Sequence, residues 1–149
     1  MAEKDTEKIE LYKLYVGMSD NLGTKRNQSN TFFITLISGI FLGYSFILDK
    51  NILSEHKYII QFIVGFLGTI LCILWSINIY SYKTLSKAKF QVIHELEESL
   101  SFAPFTKEWQ IIKKNYKNYK ALSLTETIVP IIFLLAFFAI LVNSIIIHY

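Results

Sequence analysis

Three stretches without one charged residue or histidine constrain this chain more than anything else in it. Residues 31–48 (TFFITLISGIFLGYSFIL), 58–79 (YIIQFIVGFLGTILCILWSINI) and 128–147 (IVPIIFLLAFFAILVNSIII) hold no Asp, Glu, Lys, Arg or His. A bilayer hydrocarbon core of about 30 Å takes about 20 apolar residues at 1.5 Å of rise each. The blocks therefore predict three transmembrane helices and an all-α integral membrane protein. Composition agrees: 52% of the 149 residues are hydrophobic and the mean hydropathy is +0.38, high for a soluble domain. Some thirty polar or mixed residues precede the first block, so that block is expected to act as its own insertion signal.

Lysine and arginine orient the spans. Residues 1–30 carry Lys4, Lys8, Lys13, Lys25 and Arg26, residues 49–57 only Lys50 and Lys57, and residues 80–123 eight lysines. The positive-inside rule then places the N-terminus and the middle module in the cytoplasm, and the short loop and C-terminus outside. The expected organisation is a cytoplasmic amphipathic segment (1–30), first span (31–48), external loop (49–57), second span (58–79), cytoplasmic helical hairpin (80–123) and third span (124–149). The net charge of +3 is read as a topology signal, not a nucleic-acid signal, because the basic residues flank membrane ends and no recognition motif accompanies them.

The N-terminal segment reads as a short helix over 5–18, capped by Asp5, with Ile9, Tyr12 and Val16 on one side; SDNLGTKRNQSN (19–30) supplies turn formers before the first span, whose helix starts at Thr31 or earlier, near Lys25. At 100° per residue Tyr82, Leu85, Ala88, Val92, Ile93, Leu96 and Leu100 share a face, so the second span is expected to continue as helix to about Leu100. Pro104 then disfavours helix at Ala103. Thr106 is the expected N-cap of a returning helix to Leu122, with Trp109, Ile112, Tyr116 and Tyr119 on one face and Lys113, Lys114, Lys117 and Lys120 on the other. Ser123 and Glu126 form a capping box at the third span, and Pro130 falls in its first two turns. Glu95, Glu97 and Glu98 crowd a helix C-terminus that disfavours anions, with Lys107 the nearest compensating charge. Lys89 sits centrally on the apolar face of the outgoing helix. It either pairs with an acid, Glu7 or Glu10 or one of a neighbouring subunit, or snorkels to the headgroups.

Small residues recur at helical spacing, Thr35, Gly39 and Gly43 in the first span and Gly68, Cys72 and Ser76 in the second, a pattern that favours close helix approach in lipid. Cys72 is the only cysteine and reads as a packing residue. His56, His94 and His148 alternate sides on the expected topology, His94 with Glu98 reads as an i,i+4 surface pair, and no metal, nucleotide or nucleophile motif is present. No enzyme activity, cofactor or metal is expected. No ionisable residue lies within a span, which argues against a proton-coupled carrier. Gln61, Asn78, Asn143 and Ser144 either bond between helices or line a pore.

The chain resembles the RipA family of small octameric bacterial membrane proteins. Arg26 and Asn30 precede Phe32 and Phe33 at the first span. Trp75 then leads a motif carried by Ser81, Tyr82, Leu85, Ala88, Lys89, Phe90, Val92, Ile93, Glu95, Leu96, Glu97, Leu100, Phe105, Glu108 and Trp109. The resemblance implies a homo-oligomer, an octamer, in the bacterial inner membrane, but no settled molecular activity. The expected function is a structural or interaction assembly in contact with membrane lipids, its cytoplasmic hairpins forming a ring or platform for a cytoplasmic protein partner. A homo-oligomeric channel or pore is the alternative.

Overall fold

The computed structural model describes residues 2–50, 57–115 and 122–148. All regular structure there is α-helical: α1 (Ala2–Asp49), α2 (Lys57–Glu98), α3 (Pro104–Asn115) and α4 (Leu122–His148). Of these, α1, α2 and α4 are long and apolar enough to cross a membrane. At 48 and 42 residues, α1 and α2 run about 72 and 63 Å. That is about twice the thickness of a hydrocarbon core, so each helix is long enough to cross one and continue beyond it.

The expected turn over 19–30 is instead the middle of α1. Local turn propensity is outweighed there because no proline interrupts residues 2–49. Gly17 and Gly23 cost the helix about 1 kcal/mol each relative to alanine, a penalty opposed by the burial of Leu22 between them. The hydroxyl of Thr24 bonds back to the Asp20 carbonyl within the helix.

The chain forms two compact units, Met1–Asn27 with Ser81–Leu122 and Gln28–Tyr80 with Ser123–Tyr149. The second contains the apolar blocks. Its core is Ile37, Cys72, Trp75, Ile79 and Phe137, flanked by Phe33, Phe41, Phe133 and others. Trp75 stacks on Phe33 at 5.8 Å, and Phe41 on Phe137 at 4.5 Å. Since lipid tails are as apolar as leucine, such packing rests on close fit. Two glycines of α2 provide it. A Cβ at Gly68 would lie 2.2 Å from the Phe137 ring, and one at Gly65 2.7 Å from the Leu141 backbone nitrogen.

Several polar groups within this unit are paired inside it, although the buried Gln61 Oε1 has no partner among the described residues. Thr69, Ser76 and Ser144 donate to the carbonyls of Gly65, Cys72 and Leu141. Trp75 Nε1 donates to Asn30 Oδ1 at 3.0 Å in a buried bond, and Ser29 Oγ to Asn78 Oδ1 at 2.9 Å. Outside this packing, Phe32, Leu42, Phe46, Ile63 and Leu135 are exposed, the exterior expected of lipid-facing helices. Only 6% of the apolar window of α1 is buried in the chain, against 28% in α2, so α1 presents most of its apolar surface outward.

Candidate functional site

The charged unit is built differently. Its only fully apolar buried side chains among the described residues are Leu22 and Ile93, and beside them lies a carboxylate, Glu97, 2% exposed. The helix ends explain why. Beyond Glu98, α2 closes with Ser99 N–H bonding to the Leu96 carbonyl and Leu100 N–H to that of Glu97. Pro104 then starts α3, where its fixed φ suits the first helical position and its missing N–H costs nothing. The first N–H groups of α3 have no partner inside the helix. Phe105 N–H donates to Glu97 Oε1 at 2.8 Å and Thr106 N–H to Oε2 at 3.0 Å.

Three side chains complete the site. The Thr106 hydroxyl donates to Glu97 Oε2 at 2.7 Å, and the Tyr12 hydroxyl of α1 donates to Oε1 at 3.1 Å. His94 Nδ1 lies 3.0 Å from Thr106 Oγ1 and 3.5 Å from Glu97 Oε2. Because the threonine proton is directed at the carboxylate, His94 is placed to donate to the threonine oxygen. One side chain thus joins α1, α2 and α3.

Electrostatics favour the ionised form of Glu97. Burial pushes its pKa up, but bonds from the Thr106 hydroxyl, the Phe105 and Thr106 backbone and the Tyr12 hydroxyl outweigh it, leaving the carboxyl below its usual range. The positive end of the α3 dipole acts in the same sense. Tyr12 shifts oppositely: burial, its bond to Glu97 and the nearby negative charge push it up to about 12.

These contacts revise several sequence expectations. Thr106 is not the N-cap: Lys107 N–H bonds to the Ala103 carbonyl, because Pro104 starts the helix two residues earlier. Lys107 does not compensate Glu97, since its Nζ lies 5.4 Å from the Phe102 ring centre and backbone N–H groups supply the positive potential. His94 faces Glu97 and Thr106 instead of pairing with Glu98. Among the described residues Lys89 makes no ion pair with an acid: its Nζ lies 5.8 Å from the ring centre of Tyr15 on α1, a cation–π contact that favours a half-buried ammonium without a carboxylate.

The remaining candidates separate into groups. Asn30 and Trp75 bond each other, Gly68, Cys72 and Ser76 lie in the packing of the apolar unit, and Gly39 and Gly43 have open space where a Cβ would stand. Arg26 and Tyr82 are half-buried, while Glu95 is exposed and accepts a bond from Gln91. Glu108 and Trp109 line a groove of about 450 Å³ with Phe90, His94, Phe105 and Ile112. Tyr116, Lys117, Tyr119 and Lys120 lie outside the described residues, as do the Asp5 and Ser123 side chains. Sequence reasoning missed the roles of Tyr12, Thr106 and Gly65. The available signal was an acid shortly before a proline-started helix, a pattern that can cap it from outside.

Among the described residues no group of three or more His, Cys, Asp or Glu side chains is placed to hold a metal ion. Neither a curated protein nor a solved structure matches the chain. The model of the octameric membrane protein family (8xMP) matches residues 9–146. That match takes in both helical units and agrees with the resemblance to small octameric membrane proteins. With three helices able to cross a bilayer and a match over nearly its whole length, the chain belongs to the octameric membrane protein family.

Proposed function

We propose that this protein is a structural scaffold: a homo-octamer in a bacterial inner membrane whose charged units together form a cytoplasmic platform, with the C-terminus outside. The carrying observation is how the polar groups of the apolar unit are used. Gln61 Nε2 donates to the Tyr44 hydroxyl at 3.0 Å, Asn78 accepts from Ser29 and Ser144 is bonded to its own helix. The first two bonds hold α1 to α2 and the third stays within α4, and groups engaged in these ways are poorly placed to line a conducting path. We assign the assembly no catalysis, since neither unit presents a motif for it. α2 and α3 form a helical hairpin in this reading, and the exposed Lys87 and half-buried Lys83 would face anionic headgroups, each contributing about 1 kcal/mol near such a surface.

Native mass spectrometry from lipid nanodiscs should give eight copies. A monomer would refute the assembly. A reporter fused after Tyr149 should register as external, and a cysteine at Glu98 should react only from the cytoplasmic side; a cytoplasmic C-terminus would overturn the orientation. One observation favours the channel reading, the amide of Asn143 exposed on α4. Vesicles containing the assembly should show no ion flux above empty vesicles. A flux abolished by Asn143→Leu would establish the channel instead.

A further inference from the structure

The charged unit leaves two apolar surfaces open. On α1, Leu11, Leu14 and Met18 fall within 60° of one another at 100° per residue and are 40%, 58% and 44% exposed. They lie about 100° or more from Tyr12, beside the edge of the buried face that Tyr15 and Leu22 mark. The other surface is the groove between α2 and α3, lined by the apolar Phe90, Phe105, Trp109 and Ile112 together with His94 and Glu108. Trp109 is 48% exposed and carries Lys113 Nζ 5.5 Å from its ring centre. Both surfaces lie outside the apolar blocks, where water, not lipid, would meet them. Contiguous apolar surface in water marks an interaction site.

We propose that the Leu11, Leu14 and Met18 stripe of one copy seats in the α2–α3 groove of the next copy, and that repetition of this contact closes the ring. The inference rests on the homo-oligomeric reading above and names the surface through which it is achieved. In a membrane ring all copies share one orientation, so the symmetry axis runs along the membrane normal. Surfaces that meet across an interface must then lie at one level. The contacts within the unit meet this condition. Tyr12 with Glu97 and Tyr15 with Lys89 make α1 antiparallel to α2. His94 with Thr106, and Phe90 facing Trp109 and Ile112 across the groove, make α3 antiparallel to α2 as well.

Hence α1 and α3 run in the same direction, and Tyr12, its ring 6.5 Å from that of Phe105, sets their common level. Counted from that pair, residues 11–18 of α1 stand level with residues 104–111 of α3. Stripe and groove are each two turns long, about 10 Å. They are also different surfaces, a ridge and a groove, so their contact is heterologous. Heterologous contacts build closed rings when the rotation allows, whereas a self-complementary patch would stop at a dimer. A lining rich in aromatic side chains with few charges suits the core of such an interface.

Two separately tagged chains, one Leu14→Cys and the other Glu108→Cys, test this when produced together and oxidised in native membranes. Cys72 is buried, so the unsubstituted protein is a silent control. When both variants are present, mixed-tag dimers should form in at least tenfold excess over the same-tag dimers of either variant. Native mass spectrometry on the same material reports the assembly independently. An intact oligomer without mixed-tag dimers overturns this interface and leaves the oligomeric reading standing. Dominant Leu14→Cys homodimers overturn it in favour of a two-fold contact. Monomers by mass overturn both.

Discussion

The two units solve the same problem, holding helices side by side, by opposite chemistry. In the apolar unit the centre is a stacked set of rings, Phe33 on Trp75 and Phe41 on Phe137, and the closest approach depends on glycine. In the charged unit the centre is the Glu97 carboxylate, satisfied by a helix start, a threonine and a tyrosine. The contrast follows from the solvent each unit is built for. Where the surroundings are as apolar as the interior, burying leucine yields no net association and shape decides the contact. Where water surrounds a small bundle with two buried aliphatic side chains, a charge-assisted network adds order that so little apolar area cannot supply.

If the contrast is correct, Glu97→Ala should have the largest effect. It removes every acceptor of the network at once and should cost the charged unit about 2–4 kcal/mol. Hydrogen exchange should rise across residues 104–115 while the apolar unit stays protected. Equal loosening of both units would break the comparison.

Next in size is the glycine contact. Gly68→Ala and Gly65→Ala force a methyl against the Phe137 ring and the Leu141 backbone, and each should cost the apolar unit about 1–3 kcal/mol in detergent melts. Gly39→Ala and Gly43→Ala meet open space and should leave the isolated chain at least as stable. Similar losses at all four positions would remove close approach from the account.

Trp75→Phe keeps the stacking but strands Asn30 without its buried donor, at about 1–2 kcal/mol. The readout is a lower midpoint for the apolar unit alone.

Acid distinguishes the units without mutation. The folded pKa of Glu97 lies below its unperturbed 4.5, so its stabilisation is complete above that value and is lost as pH falls through the folded pKa. Tyr12 acts at the other extreme. With a folded pKa raised from 10.0 to about 12, it weakens folding as pH rises from 10 towards 12, because the unfolded chain ionises first. Exchange at α3 should therefore quicken at both ends of the pH range, with Glu97→Gln abolishing the acid limb.

The smallest effect is expected at Lys89→Ala, which loses one cation–π contact of about 0.5–1 kcal/mol. Lys89→Arg should restore it. A loss several times larger would point to an acid of another copy in addition to Tyr15.

Periodicity was enough to read the three long helices, the extension of α2 past its apolar block, the break before Pro104 and the shared face of Trp109 and Ile112. Each is set by neighbours within a few residues. The Glu97 network was not readable that way: three acids near a helix end look alike in sequence, and only the start of α3 and Tyr12 single out the middle one. Lys89 was recognised as out of place on its face, but both readings weighed for it, an acid partner or a reach to the headgroups, passed over the aromatic ring that the fold offers. The continuity of α1 through residues 19–30 shows the reverse error, local turn formers given weight against a helix that extends on both sides of them.

Tyr12 and Glu97 are 85 residues apart in the chain. At a synthesis rate of about 5–20 residues per second, roughly 4–17 s separate their appearance at the ribosome. The first two apolar blocks are made in that interval, and the N–H groups that hold Glu97 follow later still. The N-terminal stretch of each nascent chain therefore waits with its tyrosine unpaired until the second block and the start of α3 have been made. Until then its apolar residues are available to chaperones, to the bilayer surface or to a sister chain on the same message.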